Sequence, residues 1–396
     1  MTASARRPPA PLPLTVLTGF LGAGKTTLLN RLLQDPALAD TAVLINEFGE
    51  IGLDHLLVER VDDGTVLLAS GCLCCTVRGD LVNALEKLTR DLDNGRVAFR
   101  RVVIETTGLA DPAPVLHTIM AHPYLVLRYR LDGVVTLVDA VNGMATLDAH
   151  PESVKQAAVA DRLVLTKTDL LADGEGETAR AALEARLRAL NPAAPILDAV
   201  AGEALPRQLF DCGLYDPDRK IPDVRRWLAA EKYADEHSHS HSHGHGHGHG
   251  HHHGHGGSGH GHQHAHDVNR HDDRIRAFAL TSDEAIPSGT FDLFLELLRS
   301  LHGPNLLRLK GIVKLSDAPE TPVVVHGVQH VLHPPTTLAG WPDDDHRTRL
   351  VFIVRDIDER AVRELFAAFM NAPAPDRPDR AALADNPLVP FGGTDR

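Results

Sequence analysis

The chain has 396 residues and carries 53 Asp and Glu against 40 Lys and Arg, a formal net charge of -13. That length implies two or three domains, and that charge excludes a protein that neutralises nucleic-acid phosphates. No apolar run approaches the ~20 residues needed to span a bilayer, and Met1 to Pro13 lacks the apolar stretch of a signal peptide. A cytoplasmic protein is expected, with neither nucleic acid nor a membrane as partner. Four cysteines are too few for a disulfide framework in so long a chain; Cys72, Cys74 and Cys75 cluster, and Cys212 stands apart as an ordinary thiol.

The first element is an apolar strand, residues 14–18. It runs into Gly19-Phe20-Leu21-Gly22-Ala23-Gly24-Lys25-Thr26-Thr27, which spells G-x-x-x-x-G-K-T, and helical spacing follows at Leu28, Leu29, Leu32 and Leu33. Strand, glycine turn and helix make the context that a phosphate-binding loop requires. Glycines let backbone amides wrap a phosphate, and the helix N-terminus adds positive partial charge. A nucleoside triphosphate is therefore expected, with Gly19, Gly22, Ala23, Gly24 and Thr27 around its phosphates. Lys25 would reach the β- and γ-phosphates and the Thr26 hydroxyl would sit on Mg2+.

Further strands are predicted at 42–45, 66–69, 102–105, 134–138, 163–166 and 196–199, with helical patterns between them, among them 80–91 and 178–190. Continuous Val/Ile/Leu runs belong to strands buried on both faces of a mostly parallel sheet, so residues 12–225 read as a doubly wound α/β domain. Two of these strands end in chemistry. The strand at 102–105 delivers Glu105, with Gly108 three residues on. Glu105 would hold Mg2+ through water or position the attacking water, and the Gly108 N–H would face the γ-phosphate, with Asp111 as an alternative polar group. Lys25 and Glu105 are the catalytic candidates. The strand at 163–166 ends in Thr166-Lys167-Thr168-Asp169. There the Asp169 carboxylate would accept the guanine N1–H and 2-amino group and Lys167 would pack over the base, which selects GTP. No water-positioning glutamine and no arginine finger is evident, so slow intrinsic hydrolysis is expected.

Three thiols within four residues, in Gly71-Cys72-Leu73-Cys74-Cys75, are soft donors suited to Zn2+ or Co2+. The C-x-x-C spacing of Cys72 and Cys75 also fits a redox dithiol, although nothing else resembles a thioredoxin-like unit. A fourth ligand would come from Glu47 or Glu50 in Asn46-Glu47-Phe48-Gly49-Glu50, or from His117 or His122.

Residues 226–272 read as a flexible linker, because fifteen of the thirty positions in 237–266 are histidine interleaved with Gly and Ser. Imidazoles on a mobile backbone are adaptable transition-metal ligands; an inert spacer or an engineered tag is the alternative. Residues 273–371 follow as a smaller α+β domain, with strands expected at 275–280, 311–315, 322–327, 330–334 and 349–354 and helices at 288–301 and 359–370. The Pro- and Asp-rich residues 372–396 are expected to form a disordered tail.

Together, G-F-L-G-A-G-K-T-T, N-E-F-G-E, G-C-L-C-C, E-T-T-G-L-A-D-P-A-P and L-T-K-T-D resemble the CobW-like GTPases, which stand with the nickel-insertion GTPases of urease and hydrogenase maturation. The resemblance implies a G domain and a CobW C-terminal domain, low GTPase activity, and Zn2+ or Co2+ on Cys72, Cys74 and Cys75. It further implies a metallochaperone that delivers its ion to a client metalloprotein, often with a His-rich stretch between the domains. Ile45 departs from those relatives that carry an acidic residue before Asn46. The competing expectation is a non-catalytic His-rich metal store or sensor, with GTP as a conformational signal. Nothing in the sequence specifies the client or an oligomeric state.

Overall fold

The computed structural model describes residues 10–46, 58–61, 65–70, 77–171, 174–210 and 274–370. The α/β domain runs β1 (Leu12–Gly19), α1 (Lys25–Leu33), β2 (Thr41–Asn46), β3 (Val58–Val61), β4 (Thr65–Ser70), α2 (Val77–Asp93), β5 (Arg101–Glu105), α3 (Ala113–Ala121), α4 (Leu125–Arg128) and β6 (Tyr129–Asp139). It continues through α5 (Gly143–Ala149), α6 (Pro151–Ala158), β7 (Arg162–Thr166), α7 (Gly174–Leu190), β8 (Ile196–Asp198) and α8 (Pro206–Leu209). Its eight strands lie in the order β3-β4-β2-β5-β1-β6-β7-β8. All neighbours are parallel except the edge pair β3–β4, a hairpin that the sequence did not announce.

The central strands β1, β2 and β5 are largely apolar because they bury both faces. Leu14, Val16, Ala42, Leu44, Val102 and Ile104 pack with Leu81, Leu85 and Leu88 of α2 and Leu116 and Ile119 of α3. Their alternates Leu17, Val43, Val103, Val135 and Leu137 pack with Leu28, Leu29 and Leu32 of α1 on the other side. A period of two thus distributes one sheet between two helical layers.

The C-terminal domain comprises β9 (Ile275–Ser282), α9 (Ser288–His302), β10 (Leu306–Val313), β11 (Val323–Val328), β12 (Val331–Leu332), β13 (Thr336–Thr337), β14 (Thr348–Arg355) and α10 (Glu359–Phe369). Its antiparallel sheet has the order β12-β11-β10-β14-β9, with β13 also on β11. One face buries Leu309, Val325, Leu350 and Phe352 against Phe291, Phe294 and Leu298 of α9 and Val362 and Phe366 of α10. Among the described residues, no helix is long and apolar enough to cross a membrane.

The other face of this sheet meets the α/β domain. Asp161, just before β7, is buried; its Oδ1 accepts from Arg308 Nη2 at 2.6 Å and from Lys310 Nζ, while its Oδ2 accepts from the Val134 N–H at 2.9 Å. Arg308 also donates to the Val159 carbonyl. On the α3 side, His117 Nε2 donates to the Val328 carbonyl at 3.0 Å. The sequence places a strand at 311–315, whereas β10 begins at Leu306, because Arg308 and Lys310 read as solvent-facing charges. They are buried, and Asp161 is the reason. Burial favours the neutral form of the Asp161 carboxyl, yet Arg308 and Lys310 override it and hold the group well below the usual carboxylate range. Burial also lowers the Lys310 ammonium, to about 8.

Removing one member of such a cluster strands the rest in a poor dielectric. Asp161→Asn is expected to destabilise the full chain by about 3–5 kcal/mol in urea unfolding. Because the native carboxylate has the depressed value, its contribution is complete above the unfolded-state range near pH ~4 and fades only as pH falls below it. The difference between the two proteins should therefore be constant from pH 7 to 5 and shrink in stronger acid.

Candidate functional site

Gly19 ends β1 at φ 143, and a Cβ there would meet the Leu137 carbonyl oxygen of β6 at 2.5 Å. Gly24 caps α1 in the left-handed region at φ 85, a conformation that glycine adopts without strain just ahead of Lys25. The buried Lys25 side chain folds back over the loop, donating to the Gly19 and Phe20 carbonyls at 3.0 and 3.2 Å. Ala23 is buried, and its carbonyl accepts from the Thr166 hydroxyl at 2.9 Å. That bond ties the phosphate loop to the T-K-T-D turn. Thr27, next to Thr26 in α1, is exposed.

Glu105 ends β5, which lies between β1 and β2. It is paired in register with Leu17 of β1 and with Ile45 of β2. Its Oε1 accepts from the Thr26 hydroxyl at 2.8 Å, and the carboxylate is buried. The next residue, Thr106, donates its hydroxyl to Thr18 at 2.8 Å. Gly108 presses against the phosphate loop so closely that a Cβ would lie 2.6 Å from the Leu21 backbone nitrogen. Asp111, the alternative polar group, is otherwise engaged: it caps α3 through the Ala113 N–H at 3.0 Å and pairs with Lys155 at 2.9 Å.

In the T-K-T-D turn, Lys167 takes a left-handed φ of 60 and pairs with Asp139 at 2.7 Å. Burial raises the Asp139 carboxyl, but the bonds from Lys167, Asn142 and Val141 outweigh it and lower the group below its ordinary value. Thr168 donates to Asp198 at 2.8 Å, which anchors the turn to the end of β8. Asp169 is exposed and hydrogen-bonds to no described residue. A carboxylate so presented can accept two adjacent donors.

Sequence reasoning missed Asp139, Gln156 and Lys155. Asp139 closes the apolar 134–138 run as Glu105 closes 102–104, so a carboxylate at a strand end was a readable signal. Gln156 lies on α6 and donates to the Gly108 and Ala110 carbonyls at 3.2 and 3.0 Å. No local pattern marks it.

Cys72, Cys74, Cys75, Glu47 and Glu50 lie outside the described residues, as do the linker, the tail and Cys212. The strands that lead to the first two groups are described. Asn46 ends β2 directly opposite Ser70, which ends β4. Both end on the carboxyl edge where Glu105 and the phosphate loop stand, with β5 between β2 and β1. At ~4.8 Å per strand, β4 and β1 are about 14 Å apart. His122 follows α3, whose nine residues carry the chain ~13 Å away from that edge. The structure groups it with His117 at the domain seam. Among the described residues, no three metal-type donors close on one point.

The CobW/HypB/UreG nucleotide-binding domain matches residues 13–198, and the cobalamin synthesis protein cobW C-terminal domain matches residues 275–370. The chain is 31% identical over 359 residues to the zinc chaperone YjiA of Escherichia coli, covering 90% of this chain and 98% of that one. It is 43% identical over 168 residues to the zinc-regulated GTPase metalloprotein activator 1 of Schizosaccharomyces pombe, covering 41% of this chain and 40% of that one. The crystal structure of Zn(II)-bound YjiA GTPase from E. coli aligns with a TM-score of 0.63 and 28% identity, over 91% of this chain and 99% of that one.

The contact of Gly108 with Leu21 gives a direct test of how the two loops depend on each other. Gly108→Ala must push them apart, because the obstruction is backbone. Binding of a fluorescent guanine nucleotide is expected to weaken at least tenfold, with little change in urea unfolding of the rest of the chain.

Proposed function

The chain belongs to the CobW/HypB/UreG family, and we propose that it is a GTP-hydrolysing metallochaperone. In this reading it binds Zn2+, or Co2+, on Cys72, Cys74 and Cys75 and passes the ion to a client metalloprotein under nucleotide control. The domain plan is a G domain over 12–225, a His-rich linker over 226–272, a CobW C-terminal domain over 273–371 and a tail over 372–396. The cytoplasm is the setting that keeps free thiols reduced. The names of the E. coli and S. pombe relatives, a zinc chaperone and a zinc-regulated GTPase activator, support the zinc assignment.

One observation carries the proposal: the ends of β4, β2, β5 and β1 are adjacent on one sheet edge. The segment of Cys72–Cys75 continues from β4 and that of Glu47 from β2, while β5 and β1 hold Glu105 and the phosphate loop. In the nucleotide-bound state, Lys25 exchanges its two loop carbonyls for the β- and γ-phosphates, whose other oxygens face the amides of Gly22 to Thr27. Thr26 and the buried Glu105, 2.8 Å apart, are a pair of hard oxygen donors that fits Mg2+, which would neutralise phosphate charge. Gly108 offers its N–H beside the phosphate loop, and Asp169 offers its carboxylate to guanine. The Gln156 amide is committed to two carbonyls, so no glutamine among these residues orients the attacking water, consistent with slow hydrolysis. Loss of the γ-phosphate would relax the Asn46–Glu50 and Glu105–Asp111 segments and with them the grip on the ion.

Two outcomes test this. Cys72→Ser, Cys74→Ser and Cys75→Ser in one chain should abolish the zinc uptake that a non-hydrolysable GTP analogue stimulates, whereas deleting 237–266 should leave one thiolate-dependent site. Equal nucleotide-stimulated uptake with and without the thiols would refute the proposal, and loss of all bound metal on deletion would favour a His-rich store instead. For the base, Asp169→Asn removes a charged acceptor of two donors, and GTP affinity is expected to fall ~10- to 100-fold while xanthosine triphosphate gains. Competition binding of the two nucleotides reads this directly.

A further inference from the structure

A cavity of about 770 Å3 opens where the two domains meet. Val82 of α2 and Thr118 and Met120 of α3 form one wall; Leu295 of α9, Val325 of β11 and Leu332 of β12 form the other. Five imidazoles also line the space, His117 and His122 on the α/β side and His326, His330 and His333 on the C-terminal side. None of these residues belongs to the nucleotide cleft, and only His117 and His122 drew notice in the sequence.

The chemistry of the imidazoles is specific. His326 is only 4% exposed, and its Nε2 is buried without a hydrogen-bond partner. Burial, reinforced by the positive charges of Arg308 and Lys310 and opposed by Asp161, keeps it neutral well below its ordinary pKa. His333 is likewise held neutral by burial, and its Nδ1 donates to the Pro334 carbonyl at 3.1 Å, which makes Nε2 the lone-pair nitrogen. His122 Nδ1 is buried without a hydrogen-bond partner on the opposite wall. His117 is held by Val328, and the exposed His330 meets its ring edge-to-face at 4.3 Å. Neutral imidazoles are poor hosts for anions and good ligands for borderline transition metals.

We propose that this seam cavity is a second transition-metal site, served by imidazole alone, in which His326 is the fixed ligand and His330 and His333 swing in to complete it, with His122 facing them from the α/β domain. It would take Zn2+, Co2+, Ni2+ or Cu2+ rather than Mg2+ or Ca2+. Since the donors do not converge as they stand, binding must rotate the His330 and His333 side chains, which makes the site a labile one. Because its ligands come from both domains, an ion held there stabilises the seam. The site does not depend on the thiolate proposal.

The test uses the full chain carrying Cys72→Ser, Cys74→Ser and Cys75→Ser, with Co2+ as the probe and thermal unfolding as the readout. Two derivatives of that chain are compared with it: His330→Gln with His333→Gln, and His326→Gln alone. Linker histidines are common to all three and cancel. The expected result is a Co2+-dependent rise in the unfolding temperature of the cysteine-free chain, requiring at least tenfold more Co2+ in either derivative. Because His330 is exposed and His333 half-buried, metal-free unfolding of the His330→Gln, His333→Gln derivative is expected to be unchanged, which would exclude misfolding as the cause. Identical Co2+ responses in all three proteins, or no response in the cysteine-free chain, would overturn the inference and leave the thiolate proposal standing. Retention of the Co2+ response in the cysteine-free chain, together with equal nucleotide-stimulated zinc uptake with and without the thiols, would do the reverse.

Discussion

Parallel strands deliver all their carboxyl-terminal loops to one edge, and this protein concentrates its chemistry there. The order β4-β2-β5-β1 is the constraint on which the rest depends. It sets the phosphate loop beside Glu105, Glu105 beside the end of β2, and β2 beside the end of β4. The bonds across this edge are short and mostly buried: Thr26 to Glu105, Thr106 to Thr18, and the backbone contact of Gly108 with Leu21. A change at the γ-phosphate therefore has rigid neighbours through which to act, and the segment that carries the thiols follows β4, two strands from Glu105 and three from the phosphate loop.

The second organising feature is the seam. A sheet face that would otherwise meet solvent carries Arg308 and Lys310, and the G domain supplies Asp161 to receive them. Such a cluster is a weak source of net stability compared with an apolar contact, but it fixes orientation, because only one docking satisfies every charge. The same docking brings α3 against β11 and β12 and encloses the histidines. Nucleotide site and seam thus meet through α3, which starts just after Glu105–Asp111 and ends at His122.

Much of this was legible in the sequence, and the exceptions have physical causes. The phosphate loop, the strand-end carboxylate at Glu105 and the T-K-T-D turn are local signals, complete within nine residues, and each lies where the pattern puts it. Both helical patterns at 80–91 and 178–190 are present and longer: α2 extends beyond its pattern at both ends and α7 at its N-terminal end. Arg308 and Lys310 hid a strand start, because their partner lies 147 and 149 residues away. His326, His330 and His333 looked like ordinary members of a strand and its turn. Their meaning depends on a domain contact that no window of sequence contains.

The most direct measurement is a complete linkage cycle on the full chain: Zn2+ affinity with and without a non-hydrolysable GTP analogue, and affinity for that analogue with and without Zn2+. The account predicts that each ligand tightens the other by one and the same factor, between about 5- and 150-fold. A factor of one in both directions would contradict it, because nucleotide and ion would then occupy the shared edge without sensing each other.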